Sequence, residues 1–378
     1  MKVPFQFGKI VKGKYFTNRK KEIIRLKTNF FSYQSTILMS PRRWGKSSLV
    51  ERAVQEMISE NKDVKICHLN LFNIRSEDDF YSYFATMLLR ATSNKIEELV
   101  KLGKELLGAA RPEISVGVAE IAKVSVNFNL KEKEKDYLEI LDLPERIALR
   151  KNIHLIVCID EFQNIKHFKD PELFQDRIRS TWQNHQHVAY CIYGSKMHLL
   201  TKIFQQDNAP LYRFGDIIYL KKISSQDWLE FITKGFGRTG KKISGELAFK
   251  MTEIMGQHPY YVQNLAYITW NNTLKEVTEE ILEESVREVL DQNSILFQEK
   301  IEELSNTQIN FLKALAMGVK DGFFSQKILL EYELGTSANI LKIKKALQEK
   351  DIVDFHADIP DFIDPVFKLW FIRRYLSD

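Results

Sequence analysis

An α/β fold built on a parallel β-sheet is predicted by three features. A short apolar run, Thr36–Met39, leads into Ser40-Pro-Arg-Arg-Trp-Gly-Lys-Ser47, where an amphipathic helical pattern opens. A continuous apolar run, Leu155–Ile159, ends in Asp160-Glu161, as expected of a central strand buried on both faces. Further strand-like runs alternate with helical patterns as far as Leu220, after which the pattern is wholly helical.

The first feature reads as a phosphate cradle. It matches G-x-x-x-x-G-K-[ST] at every specified position but the first, where Ser40 stands for glycine. Backbone N–H groups at a helix start, aided by the helix dipole, attract phosphate oxygens. Pro41, Arg42, Arg43, Trp44, Gly45 and Ser48 complete the cradle; Lys46 would reach the β- and γ-phosphates, and the Ser47 hydroxyl would hold a metal. Glycine serves where φ is positive or a ligand comes close, so Ser40 implies an altered geometry.

The second feature supplies the acids. Open α/β sheets keep their ligands at the C-terminal ends of strands. Asp160 is placed to bind Mg²⁺ and Glu161 to polarise a water attacking a γ-phosphate.

The remaining elements follow in order. An irregular lead-in over 4–19 precedes a helix from Arg19 to Phe31; a helix from Ser47 to Glu60 follows the cradle, then a strand over Val64–Phe72. Helical patterns cover Asp78–Ala91 and Lys95–Leu107. Ile114–Val118 and Val124–Leu130 alternate apolar and polar residues as a half-exposed hairpin would, and Lys131–Asp136 reads as a solvated boundary, so 92–136 is an insertion without assigned chemistry. A buried strand over Val188–Tyr193 ends in Gly194-Ser195, where Ser195 either senses the γ-phosphate or caps a helix. Phe214–Leu220 is the fifth strand, and Arg213 before it offers a cation to a phosphate of this or a neighbouring subunit.

Beyond Leu220, Ser224-x-x-Asp227 reads as a helix cap, and helices span about 225–236, 244–255, 259–273 and 278–304. Pro259 suits a first helical turn, and the loop before it places His258 as part of a nucleotide lid. Helices over Ser305–Met317, Ser325–Tyr332 and Ser337–Lys350, then short strands at Ile352–Phe355 and Asp361–Ile363 around a tip at Ala357–Pro360, read as a winged helix. Its third helix carries Lys342, Lys344 and Lys345, where a helix-turn-helix would enter a major groove. From residue 305 onward ten Lys/Arg balance ten Asp/Glu, and the wing holds Asp351, Asp354, Asp358 and Asp361. Phosphate neutralisation dominates DNA affinity, so a protein partner competes with DNA for this module.

Composition bounds the reading. The 378 residues allow two or three domains, here expected at 1–222, 223–304 and 305–378. A 44% hydrophobic content argues against disorder, and a net charge of +5 permits nucleic-acid contact without demanding it. No apolar run approaches the ~20 residues needed to span a bilayer, and the N-terminus lacks a signal-peptide layout. Cys67, Cys158 and Cys191 lie in strand-like runs without metal spacing, as reduced thiols of a cytoplasmic protein would.

Together these residues resemble the "archaeal ATPase" family, a STAND-like branch of the AAA+ P-loop ATPases. The resemblance is carried by Phe5-Gln-Phe-Gly8, Phe16-x-x-Arg19-x-x-Glu22, the Ser40–Ser47 loop, Ile159-Asp-Glu-Phe-Gln163, Gly194-Ser195, Pro210-Leu-Tyr212, Gly256-x-His-Pro259-Tyr-Tyr261 and Asp364-Pro-Val-Phe-Lys-Leu-Trp370. It implies an ASCE-type sheet in 5-1-4-3-2 order, a helical lid, a C-terminal winged helix, and ATP with Mg²⁺ as ligands. By position, Lys46 and Ser47 would bind phosphate and metal, Asp160 and Glu161 would serve metal and water, and Phe16, Arg19 and Pro259 would lie near the adenine. The function implied is an ATP-hydrolysing switch acting on double-stranded DNA or a protein, able to form a homo-oligomer; the alternative is a nucleotide-gated regulator with negligible turnover.

Overall fold

The computed structural model describes residues 3–107, 112–116, 121, 124–128, 133–355 and 359–376. Two compact units emerge: a sheet unit, Arg19–Lys221, and a helical unit made of Met1–Asn18 and Lys222–Asp378.

The sheet unit contains seven strands among the described residues: β1 (Thr36–Met39), β2 (Val64–Asn70), β3 (Pro112–Val116), β4 (Val124–Phe128), β5 (His154–Asp160), β6 (Val188–Gly194) and β7 (Asp216–Tyr219). Five form a parallel sheet in the order β2-β5-β6-β1-β7, while β3 and β4 pair antiparallel outside it. This numbering differs from the expected 5-1-4-3-2 because the hairpin strands intervene in the chain; with them set aside, the order is 5-1-4-3-2 read from the β7 edge.

Helices α1 (Lys20–Phe31) and α2 (Lys46–Glu60) bury Ile23, Leu26 and Phe30, and Leu49, Val50, Ala53, Val54 and Met57, at the spacing of one helical face. Helices α3 (Glu77–Thr92), α4 (Ile96–Leu106), α5 (Lys133–Lys151), α6 (Pro171–Trp182) and α7 (Met197–Gln205) complete the unit. The hairpin is tied to α3: buried Thr86 accepts from the Val126 N–H at 2.9 Å, and the Arg90 Nε donates to the Val124 carbonyl at 2.8 Å. Register aligns the functional strand ends. Met39 pairs with Gly194, and Asn70 with Asp160, so Ser40, Asp160-Glu161 and Gly194-Ser195 emerge at one edge of the sheet.

Two expectations are corrected. The second strand stops at Asn70, whose side chain accepts the Phe72 N–H at 2.9 Å and turns the chain into a 3-10 turn, Leu71–Asn73. The boundary run Lys131–Asp136 is not wholly solvated: α5 opens at Lys133 and Asp136 is buried. Residues 117–118 and 129–130 of the expected hairpin, and 357–358 of the wing tip, lie outside the described residues.

The helical unit holds α8 (Ser225–Gly237), α9 (Gly245–Ile254), α10 (Pro259–Asn272), α11 (Glu279–Glu302), α12 (Asn306–Ala316), α13 (Gln326–Glu331) and α14 (Ser337–Glu349). An antiparallel pair follows, β8 (Val353–Asp354) with β9 (Asp361–Phe362), then α15 (Pro365–Tyr375). One apolar core runs from Trp228 to Phe371 without a break near residue 304. The lead-in, expected with the sheet, groups here instead: Phe5 is 1% exposed against Phe231 and Phe236, in a space left by Gly235, whose added Cβ would come within 2.6 Å of the Phe5 ring.

Two sequence motifs meet in this unit. The Tyr261 hydroxyl donates to Asp364 Oδ2 at 2.6 Å, and Asp364 caps α15 by accepting the N–H groups of Val366 and Phe367. Gly256, at φ +56°, lies where a Cβ would come within 2.8 Å of Pro365. Both motifs therefore hold the fold together.

Candidate functional site

The loop between β1 and α2 coils around its own lysine. The Lys46 ammonium is buried and donates to the carbonyls of Ser40 and Pro41, each at 2.9 Å, and to Ser40 Oγ at 3.3 Å. Burial pulls this ammonium down to about 8, against the attraction of Asp160 and Glu161 and with added repulsion from Arg42. Gly45 takes φ +88°, a left-handed conformation for which glycine is suited, and Arg43 takes φ +65° beside it. Ser40 has no such conformation, so its Cβ carries no backbone strain, and its hydroxyl joins the acceptors around Lys46. No positive φ calls for glycine there.

Across the sheet edge, the Ser47 hydroxyl donates to Asp160 Oδ2 at 3.2 Å. Burial, then repulsion from Glu161, pushes the Asp160 carboxyl up to about 6. Its other oxygen accepts the Glu161 N–H at 2.8 Å. Glu161 itself takes φ +55°, a costly backbone state for a non-glycine residue. Its Oε2 accepts the Ser195 hydroxyl at 2.9 Å and the Gln163 side-chain amide. Ser195 thus touches the acid, and the cap of α7 is Lys196, so the serine does not take the capping role the sequence offered.

The residues fit the groups the motif implies. Two hard oxygen donors, Ser47 and Asp160, suit Mg²⁺, which keeps several waters and takes one or two protein ligands. Burial, the largest cause of both shifts, disfavours the charged forms of the Lys46 ammonium and the Asp160 carboxyl although each attracts the other. A triphosphate would add charge-assisted acceptors for Lys46, and a divalent cation would favour the ionised form of Asp160. No group of three or more metal-ligating side chains exists among the described residues, so a self-contained metal cage is not formed.

The other candidates are placed less centrally. Arg42 and Arg43 are exposed, Trp44 is half-buried, and Ser48 is buried in the first turn of α2. Arg19 is buried at the start of α1, donating to the Lys221 carbonyl at 2.7 Å and paired with Glu22 at 3.1 Å, so its guanidinium is engaged within the fold. Arg213 is exposed, with its guanidinium over the Tyr212 ring at 4.9 Å. Phe16, His258 and Pro259 belong to the helical unit, where Pro259 opens α10 as expected. Sequence reasoning missed one residue of the cluster, Gln163, for which the only signal was its place in the Asp-Glu-Phe-Gln motif.

Solved structures share this architecture. A Walker-type ATPase of Pyrococcus abyssi matches with a TM-score of 0.69 at 16% identity, over 97% of this chain and 99% of that one. The ORC2 protein of Aeropyrum pernix, in ADPNP–ADP complexes, matches with a TM-score of 0.57 at 13% identity, over 99% and 100%. At such identities the likeness shows the fold alone: an α/β architecture with a five-stranded parallel sheet. No family model and no curated protein matches the sequence.

Proposed function

We propose that this protein binds ATP with Mg²⁺ and hydrolyses it, using the nucleotide state to switch a C-terminal winged-helix module, residues 305–378. The observation that carries the reading is the convergence of Lys46, Ser47, Asp160, Glu161 and Ser195 at one sheet edge. The descriptions of the two fold neighbours, a Walker-type ATPase and a protein complexed with ADPNP and ADP, agree with it.

In this mechanism the Ser40–Ser48 loop holds the phosphates, and Lys46 turns from its loop carbonyls to the β- and γ-phosphates. Ser47 and Asp160 would hold Mg²⁺, which supplies charge neutralisation on the phosphate oxygens. Glu161 accepts a proton from water as its oxygen bonds to the γ-phosphorus and the bridging oxygen leaves on ADP. Ser195 steadies Glu161. Arg213 acts as a phosphate-facing cation of this or a neighbouring copy of the chain. Residues 223–304 serve as the lid. No helix among the described residues is long and apolar enough to cross a membrane.

The partner of the module is a protein or duplex DNA, and one observation favours the protein. The Lys344 ammonium sits over Phe324 at 5.1 Å, Phe323 at 5.5 Å and Phe355 at 5.8 Å, a cation–π enclosure that competes with phosphate contact. Leu341 on the same helix is 62% exposed and Phe324 47%, an apolar surface suited to a protein. The test is ATPase rate against protein concentration, with and without duplex DNA. A rate per chain that rises with concentration supports Arg213 acting between copies. No Mg²⁺-dependent turnover under any condition, with ATP bound, leaves the nucleotide-gated regulator as the function.

A further inference from the structure

We propose that Gln163 is a positioning residue for the general base, gripping Glu161 by one carboxylate oxygen so that the other is presented to the attacking water. This rests on the hydrolytic reading above and gives a role to a residue that reading does not use.

Gln163 is 1% exposed in the 3-10 turn Phe162–His167 that follows β5. Its Nε2 donates to Glu161 Oε2, the same oxygen that takes the Ser195 hydroxyl at 2.9 Å. Two donors on one carboxylate oxygen fix the plane of the group, because hydrogen bonds to an ionised acceptor are short and strong. Glu161 Oε1 carries no hydrogen bond among the described residues and keeps its lone pairs for a proton. The amide orientation is dictated chemically: the flipped form would set a carbonyl oxygen against a carboxylate oxygen.

The opposite end of the amide is held by shape. Gln163 Oε1 is buried and accepts no hydrogen bond among the described residues. It lies against Gly194, where an added Cβ would collide with it. Gly194 does not adopt a left-handed backbone, so its lack of a side chain serves space and not conformation. A buried acceptor left unpaired costs about 1–3 kcal/mol. An amide placed for stability alone would not leave its oxygen so; this one is placed for its N–H. Backbone strain at Glu161 and the Asp160 bond to its N–H set the acid from one side, and Gln163 with Ser195 sets it from the other.

The experiment is a double-mutant cycle with Gln163→Met, Gly194→Ala and the pair, read by single-turnover ATP hydrolysis and by Mg·ATP affinity from calorimetry. Gln163→Met should lower the hydrolysis rate about 30–100-fold, the scale of a misplaced reacting group, with Mg·ATP affinity held within about twofold. Gly194→Ala should show the same split by displacing the amide, and the double variant should be no slower than Gln163→Met. A wild-type rate in Gln163→Met, losses that multiply in the pair, or a loss in affinity instead of rate overturns the assignment. Where Gly194→Ala fails to fold, Gln163→Leu beside Gln163→Met decides on the same rate-against-affinity split. Glu161→Gln separates the two levels. A wild type no faster than Glu161→Gln sinks the hydrolytic reading and this role with it; a wild type that is faster, and equalled by Gln163→Met, sinks the role of Gln163 alone.

Discussion

Replacing Asp160 by Asn should stabilise the ligand-free protein while removing its metal affinity. In the folded chain the Asp160 carboxyl rises from 3.8 to about 6, through burial and then the neighbouring Glu161 charge. A carboxyl raised on folding makes the folded state bind the extra proton between those two values. Stability is therefore full below 3.8 and declines as pH rises through about 6, after which the loss is constant. The gap corresponds to ~3 kcal/mol, at one pKa unit per 1.36 kcal/mol. Asparagine mimics the protonated acid: its Oδ1 still accepts the Glu161 N–H while its Nδ2 donates to the Ser47 hydroxyl, so the variant should exceed wild type by about 2–3 kcal/mol near pH 8 and by almost nothing near pH 4. Urea denaturation in EDTA, without nucleotide, across that range measures the difference. Equal midpoints at pH 8, or a gain that persists unchanged at pH 4, would refute the electrostatic account of this site. Added Mg·ATP should stabilise wild type and leave the variant where it was.

Lys46→Ala should abolish ATP binding, since it removes the buried cation facing the phosphates; calorimetry showing unaltered affinity would dismiss the cradle. Lys46, lowered to about 8 from 10.5, gives the opposite pH trend to Asp160: the unfolded chain holds the extra proton between those values, so ligand-free stability climbs through that window, and Lys46→Met should flatten the climb. Phe5→Ala should destabilise the helical unit by about 3–5 kcal/mol, the usual cost of emptying a buried phenylalanine site; hydrogen exchange that slackens only in the sheet unit would contradict its placement. Changing Lys342, Lys344 and Lys345 together to alanine should leave the response of the chain to duplex DNA, titrated across salt concentrations, unaltered. A salt slope that drops in the triple variant would assign the module to DNA.

The site was legible where chemistry and periodicity coincide. A short apolar run, a glycine-lysine-serine turn and a helical face identify β1, the loop and α2 without tertiary knowledge, and the acid pair at the end of Leu155–Ile159 identifies β5. Gln163 could not be read because its role depends on Gly194, which is distant in sequence and brought near by the pairing of β5 with β6. The burial of Asp136 was hidden for a related reason: a run of alternating charges gives no sign of which member faces inward. The enclosure of Lys344 could not be read because its three phenylalanines come from outside its own helix. Ser40 looked anomalous against a pattern written for glycine, although its backbone has no need of one.

The discontinuity of the helical unit has a consequence during synthesis. Phe5 leaves the ribosome early, yet the pocket that receives it, around Phe231, Gly235 and Phe236, is translated only after Arg19–Lys221. At about 5–20 residues per second that delay is roughly 10–40 s. Throughout it the leading segment must stay tethered and exposed with its aromatic residues unburied, while the intervening sheet can already close. A chaperone that shields aromatic peptides, or a slow codon stretch before Phe231, should change the yield of folded chain through this one late docking step.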